Sequence, residues 1–485
     1  MSLPSLEGLE RLTAAEWHEL RERLKDAGLN TASVAPFTQV GRAFPEPFRR
    51  PLVAWHLRRA DEPSTVAMRL FMFRDAVTGG EAEALLGQAL FRQLVESGLV
   101  AESAVGFTCP WDLNILEQLL ILCDDLTAGG KAVMGAGVSS LIACRAAFPL
   151  KPIGSILDLG CGAGTSALAY ASWAQRVVGT DINPRAVRLS RINAVLNDTR
   201  VPSFLVGDRF SAVRDERFDL IVSQPPFIAR APKATRATFL HGGARGDELP
   251  LRILREIPAH LAEGGRAVLL VDWPEDGCSS VEERVLDAVG DGLQVLVLRC
   301  PGMPLDDHCI AYAIGPGNGG AAYRRRVVAS REHLASLGIT GLTSSVIVLR
   351  RLAPSWTAVV TLPAGGIMRA AAARIEPILV RETLLAGPER EFLESRHTIA
   401  EGLQFLALPD GRVRAEFPAT ALFDRAEMNS GAYRLIQMAS AAPSVDATID
   451  EFSRQAEIAR AEAAGRTLPA IREALRRGIL EPVLG

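Results

Sequence analysis

Residues 156–165 read Ile-Leu-Asp-Leu-Gly-Cys-Gly-Ala-Gly-Thr, and no other stretch restricts the fold of this chain as tightly. The apolar run predicts a strand, the three glycines a tight turn, and the residues from Thr165 toward Gln175 a helix. Glycine adopts positive φ at no steric cost and lets a ligand approach where any Cβ would collide. Amides exposed at the start of the helix add a positive field. Such a unit opens a parallel α/β sheet with a ligand at its turn, but NAD and FAD sites share this glycine spacing.

The surrounding sequence extends the pattern. Between residues 131 and 353, apolar runs alternate with helical stretches, which predicts a parallel sheet covered on both faces. Strands are expected at Ser155–Leu159, Arg176–Asp181, Phe204–Val206, Asp219–Ser223, Arg266–Asp272, Leu293–Leu298 and Ser344–Leu349. Seven strands make a doubly wound, Rossmann-like sheet, with chemistry expected at their carboxyl ends.

Three carboxylates narrow the ligand. Asp158 stands just before the first glycine, where it can meet a cationic amino-acid group and would repel a pyrophosphate. Asp181 ends the second strand and can accept both hydroxyls of a ribose, and Asp208 follows the third strand, where it can accept from an adenine amino group. This acidic ring suits S-adenosylmethionine, which carries a sulfonium and an ammonium, better than a dinucleotide. The fourth strand runs into Gln224-Pro225-Pro226-Phe227. Prolines remove ladder donors and stiffen the backbone. Gln224 brings an amide acceptor and Phe227 a flat apolar face, a combination suited to holding a planar NH₂ group in line with a methyl donor.

With these residues in view, the segment 155–227 resembles a class I S-adenosylmethionine-dependent methyltransferase of the methyltransferase small domain group. That group includes HemK-type glutamine methyltransferases and ribosomal-RNA guanine methyltransferases. The resemblance implies S-adenosylmethionine as cofactor, held by Asp158, Gly160, Cys161, Gly162, Gly164, Asp181, Ile182, Asp208, Arg209 and Gln224. It implies that Gln224, Pro225, Pro226 and Phe227 form the catalytic turn. Here the chain departs from the group, which usually has Asn where this sequence has Gln224. The expected reaction is N-methylation of an amide or amine nitrogen of a protein or peptide. An RNA base and a small metabolite are the alternative acceptors, and a binding module that kept the fold but lost catalysis is the rival reading.

Two segments flank the motif. Val133–Ser140 resembles the stretch that closes over the methionine end of the cofactor, and an ordinary glycine-rich linker is the plainer reading. Residues 228–250 form a long polar loop carrying Arg230, Lys233, Arg236, His241 and Arg245, readable as an acceptor-recognition element or as a solvated lid. His241 is a candidate general base, although a lone loop histidine is more often at the surface.

At ~150 residues per domain, 485 residues predict three domains. Residues 1–130 read as a helical, winged-helix-like domain, with a turn at Gly79-Gly80, helices at 81–86 and 88–97, and an extended pair after Gly98. Such a module serves nucleic-acid or partner-protein recognition or acts as a cap over a cleft, and the cap is the favoured role, because the second of those helices carries only Arg92 against Glu96. Residues 354–485 read as a β-hairpin plus helical module, its runs TAVVTL, LQFLAL and RVRAEF broken by Pro409-Asp410-Gly411. Segments 433–438 and 472–480 parallel 68–73 and 92–100, which suggests a second helical module. Lys plus Arg number 53 against 56 Asp plus Glu, so the net charge of −3 provides no global field for polyanions. The seven cysteines form no CxxC pair, which predicts a reducing, cytoplasmic setting, and no apolar run is long enough for a membrane span. No metal-ligand spacing is present, and oligomeric state leaves no mark in the sequence.

Overall fold

The computed structural model describes residues 3–39, 46–60, 62–199, 202–232, 234, 237–313 and 320–483. At its centre is a sheet built from β1 (Ile153–Leu159), β2 (Ala174–Asp181), β3 (Ser203–Val206), β4 (Phe218–Ser223), β5 (Leu261–Glu275), β6 (Gln294–Pro301), β7 (Gly341–Arg350) and β8 (Trp356–Thr361). The order across the sheet is β8-β6-β7-β5-β4-β1-β2-β3. Only β7 runs antiparallel to its neighbours, β5 and β6. Each of the seven expected strands is present, most of them extended at one or both ends.

The expected count of seven is corrected to eight. The run TAVVTL, read as part of the C-terminal module, pairs in parallel with β6 from Gln294↔Trp356 to Arg299↔Thr361 and forms the sheet's edge. The sheet therefore continues past residue 353. Alternation along the strands explains why such a sheet needs cover on both sides. Ile156, Leu220, Val222, Val268, Leu296 and Val346 face one core, and Leu157, Ile221, Leu269, Val297 and Ile347 face the other. The first core is continuous with Trp17, Phe71 and Trp111, so the N-terminal segment covers one face of the sheet directly.

In that segment, the glycine pair 79–80 does not turn the chain. Helix Gly79–Leu86 starts there, because Thr78 and Glu81 close a reciprocal cap around its first amides. The break comes at Gly87, with φ 77°, followed by helix Gln88–Glu96 and a hairpin of Ala101–Ser103 with Gly106–Thr108. In the C-terminal segment, the expected hairpin joins Gln404–Ala407 to Arg412–Glu416, and Arg425–Asn429 adds a third antiparallel strand. Of the two internal parallels, one pairs unlike elements. Met68–Met72 is a π-helical turn, whereas 433–438 lie within α-helix Ser430–Ala441. The other pairs two helix ends, each closed by a left-handed glycine, Gly98 (φ 76°) and Gly478 (φ 67°).

The N-terminal segment is joined to the sheet by a helix that substitutes for a strand. Four further helices position the site: α1 (Val138–Ala147), α2 (Thr165–Ala169), α3 (Pro184–Leu196) and α4 (Ala321–Ser336). Asn193 of α3 accepts from the Leu122 amide (2.9 Å) and donates to the Leu122 carbonyl (2.9 Å). Asn197, just past its end, does the same with Leu120, at 2.9 and 2.8 Å. Four residues of helix rise about 6 Å and two residues of strand about 6.6 Å, so the two amides match alternate residues of the strand edge 119–123. Asn193 also donates to Ala163 O (2.9 Å), inside the glycine turn. Asn193→Ala would leave these buried backbone groups unpaired, at an expected cost of about 2–4 kcal/mol. Denaturant unfolding checks this; a loss below about 0.5 kcal/mol contradicts it.

Among the described residues no helix is long and apolar enough to cross a membrane. All seven cysteines are free thiols.

Candidate active site

Sequence order reverses between β1 and β4, and the crevice beside the carboxyl ends of β1, β2 and β4 is where such sheets hold ligands. Gly160, Gly162 and Gly164 have φ of 77°, 54° and 86°. Their reasons differ. A Cβ on Gly162 would lie 3.0 Å from Met134 O, and one on Gly164 3.1 Å from the Ser190 side chain. A Cβ on Gly160 would meet nothing within 4 Å, because this glycine faces the open crevice. The turn is tied down by Gly160 N and Cys161 N donating to Thr180 O, at 2.8 and 2.9 Å. Ser190 of α3 adds a bond to Gly162 O (2.9 Å). Cys161 is buried at the crevice wall, and burial pushes its thiol pKa well up.

Asp181 accepts from Gly162 N through Oδ2 (2.9 Å) and from Asn183 N through Oδ1 (2.8 Å). Burial raises its pKa while those two amides oppose the rise. Each oxygen retains acceptor capacity for a hydroxyl. Ile182, next along, is 57% exposed and lines the crevice, an apolar platform beside the acid. Asp208 and Arg209 also line it. Asp208 Oδ2 accepts from Arg209 (2.9 Å), and Arg209, held at φ 49°, is anchored by Glu256 at 2.7 Å.

Helix α2 stops at Ala169, well short of the expected Gln175, so its dipole is small. Asp158 uses it differently from expectation: its Oδ2 accepts from the Ala167 amide at 2.9 Å. The carboxyl is buried at the crevice floor, and burial, assisted by the Asp181 charge, pushes its pKa up to about 7.

At the end of β4, Gln224 Nε2 donates to Ser139 Oγ (2.7 Å) and Oε1 accepts from Ser140 Oγ (3.3 Å). Both serines lie in the first turn of α1, so the segment 133–140 closes the crevice and also fixes the plane of the Gln224 amide. Pro225 and Pro226 line the crevice. Phe227 does not; it packs against the core around Leu157, Ile221 and Leu254. The aromatic wall is Phe239, from the following loop.

The residues present fit S-adenosylmethionine. Gly160 leaves room for close approach, the buried Thr180 Oγ1 at the crevice wall has no hydrogen-bond partner among the described residues, and Ile182 and Phe239 supply apolar faces. Residues 139–274 match the methyltransferase small domain. This segment is a methyltransferase small domain. The protein N5-glutamine methyltransferase homologue of Methanocaldococcus jannaschii is 35% identical over 24% of this chain and 60% of its own length. The release factor glutamine methyltransferase of Rhodospirillum rubrum is 37% identical over 34% and 58%. The ribosomal RNA small subunit methyltransferase C of Alcanivorax borkumensis is 28% identical over 35% and 50%. The chain thus spans between half and three-fifths of the length of these relatives. The cofactor of such a domain is S-adenosylmethionine.

The loop after the signature turn packs against it. Strand His241–Gly243 pairs with Ile228–Ala229, and a Cβ on Gly242 would lie 2.4 Å from Pro226 O. Of the basic residues expected there to recognise an acceptor, Arg245 is paired with Asp276 at 2.9 Å and Arg230 is exposed. Lys233 and Arg236 lie outside the described residues. His241, the candidate base, lines a neighbouring cavity and not the methyltransferase crevice. Sequence reasoning missed Phe239 and the clamping role of Ser139 and Ser140. The Ser-Ser pair ending the glycine-rich stretch was the available signal for the second; nothing distinguished Phe239 from Phe227.

Asp158 makes the unliganded domain sensitive to pH. Its folded pKa near 7 lies above the ordinary ~3.9, so its contribution to stability is complete below about pH 4 and is lost as pH rises through 7. A bound cation favours the carboxylate, so cofactor binding near pH 6 should release a proton and tighten as pH rises toward 8. Asp158→Asn should stabilise the unliganded protein at pH 8 by about 1–3 kcal/mol while weakening cofactor binding and flattening its pH dependence. Thermal melts and calorimetry at pH 5, 6, 7 and 8 test both; a steep pH dependence surviving in Asp158→Asn contradicts the assignment.

Proposed function

We propose that this protein transfers the methyl group of S-adenosylmethionine to an amide nitrogen of a protein side chain, glutamine being the foremost acceptor. The clamped Gln224 carries the reading. An amide at the carboxyl end of β4, held by Ser139 and Ser140 and followed by two prolines, is a rigid polar edge beside the cofactor crevice. A planar NH₂ group laid along that edge has its N–H groups engaged by fixed acceptors and its lone pair directed at the donor. When bound, S-adenosylmethionine supplies an electrophilic methyl: the C–S bond breaks as C–N forms, sulfur leaves as a neutral thioether, and the nitrogen proton passes to water.

The residues divide the work. Gly160, Asp181 and Ile182 hold the nucleoside end, Asp158 balances the cationic end, and Phe239 walls off water. No group must act as a strong base, because in-line placement supplies most of the acceleration. The names of the glutamine-methylating relatives support a protein amide as acceptor, and the charge balance of −3 gives no reason to prefer RNA.

The test incubates full-length protein with methyl-labelled cofactor and a host lysate lacking the enzyme, then separates protein from nucleic acid. Label is expected in the protein fraction and should be released by acid hydrolysis as methylammonium, which turns into volatile methylamine once the hydrolysate is made alkaline, because an N-methyl amide hydrolyses to the acid and methylamine. Label confined to RNA, or protein label that survives hydrolysis on lysine or arginine, refutes the proposal.

A further inference from the structure

The strand edge 119–123 that α3 holds runs on toward the crevice. Asp124 follows it and closes the base of a loop: its amide donates to Val133 O (3.1 Å) and its Oδ2 accepts from Val133 N (2.9 Å). Ala132, Val133, Met134 and Gly135, where the chain leaves this loop, line the crevice as one of its walls. That wall is fastened at both ends. Met134 O accepts from Ala163 N (3.2 Å) in the glycine turn, and Lys131 O accepts from Asn183 Nδ2 (3.0 Å). Asn183 is the residue whose amide meets Asp181 and whose Oδ1 accepts from Arg185 N (3.1 Å) at the start of α3.

Arg185 completes the frame. Its Nε and Nη2 grip Asp124 at 2.8 and 2.6 Å, and its guanidinium lies 5.1 Å from the centre of the Trp111 ring. The Asp124 side chain is wholly buried and that of Arg185 is only 17% exposed. An ion pair this deep is a poor device for stability alone, because desolvating two charges offsets most of their attraction. A bidentate pair supplies a single geometry instead, since two parallel N–H···O bonds fix both planes at once. Here that geometry is shared by two backbone segments, Val133 on one side and residues 181–183 on the other, and both border the crevice.

The ends of the crevice are covered unequally. Ile182 and the Asp208 side chain, at the nucleoside end, are more than half exposed. The wall instead meets the far side of the glycine turn, where Met134 O crowds Gly162 and Asp158 reaches the Ala167 amide. We propose that Asp124 and Arg185 are positioning residues for the cofactor: their ion pair sets residues 132–135 in the shape that closes the crevice over the amino-acid end of S-adenosylmethionine. The proposed role rests on the crevice being the cofactor site, as in the function proposed above. Neither side chain lines the crevice, so both act through the backbone they hold.

Two ligands separate the ends: S-adenosylhomocysteine, which has the amino-acid tail, and 5′-methylthioadenosine, which lacks it. Their affinities for the full-length protein are measured by calorimetry, with circular dichroism to follow folding. Arg185→Met removes both bonds to Asp124 and keeps an apolar stem. It should weaken S-adenosylhomocysteine about tenfold and methylthioadenosine less than about twofold, whereas a general loss of structure would weaken both alike. Arg185→Lys keeps the charge without the bidentate fit and should fall in between. Trypsin reads the wall directly: cleavage after Lys131, identified by mass spectrometry, should be suppressed by S-adenosylhomocysteine in the wild type and several-fold faster in Arg185→Met. Equal loss of both ligands, loss of neither, or unchanged cleavage at Lys131 overturns the brace. Should Arg185→Met not fold, Arg185→Lys decides, and an affinity ratio and cleavage rate equal to wild type overturn it. Wild-type protein that binds neither ligand overturns the crevice reading and the brace together, whereas wild-type binding with an unchanged ratio in the variants sinks the brace alone.

Discussion

Asp181→Ala should lower the affinity for S-adenosylmethionine by at least about a hundredfold, while the protein remains folded. Two losses combine in this substitution. In the proposed site the carboxylate accepts the ribose hydroxyls, and in the structure it anchors the glycine turn through Gly162 N and the start of α3 through Asn183 N. Without it, two backbone amides lose their partners and the turn loses its brace. Stability should fall by only about 1–3 kcal/mol, because Asp181 sits at the crevice and carries a desolvation penalty that its removal relieves. Calorimetric titration, with circular dichroism as a check on folding, measures both. Asp181→Asn separates the contributions: an amide oxygen can still accept from Gly162, but the charge is gone. Affinity within threefold of wild type in Asp181→Ala would remove this residue from the nucleoside site.

Gln224→Ala should reduce the rate of methyl transfer about 10²–10³-fold with cofactor affinity nearly unchanged, since its effect falls on placement of the acceptor. Ser139→Ala should cost less, because the Ser140 contact to Oε1 remains. Gln224→Asn is the more informative variant. It restores the residue usual in this group but shortens the side chain by one methylene, so its amide no longer reaches Ser139 and Ser140 as Gln224 does. Its rate should lie between those of wild type and Gln224→Ala. If Gln224→Asn matches wild type in labelled-methyl transfer, the serine clamp does not position the acceptor. If Gln224→Ala retains full activity, the turn is not catalytic.

The glycine turn, the three acids and the proline-stiffened end of β4 were all readable from the chain because each answers to a local demand. Three positive-φ positions within five residues admit little but glycine, and a strand that ends in an acid two turns of structure later is visible in a linear pattern. Phe227 shows where that reasoning stops. It adjoins the prolines in sequence, yet at that point the chain turns it toward the core, and Phe239, twelve residues on, reaches the crevice. The same holds for β8, whose alternating run fits a peripheral hairpin as well as the edge of the main sheet.

What the sequence by itself determined is the strand–turn–helix unit, the cofactor it accepts and the identity of the turn beside it, because backbone conformation and short-range charge follow from neighbouring residues. What only the tertiary structure decided is which distant groups meet there. Ser139 and Ser140 reach Gln224 across 85 and 84 positions of chain. Asn193 joins the glycine turn to a strand edge 71 positions away. The insertion after β6 comes to the active-site edge only because β7 runs against its neighbours. Such contacts depend on how whole elements pack, and packing is a property of the assembled core that no short window of residues carries.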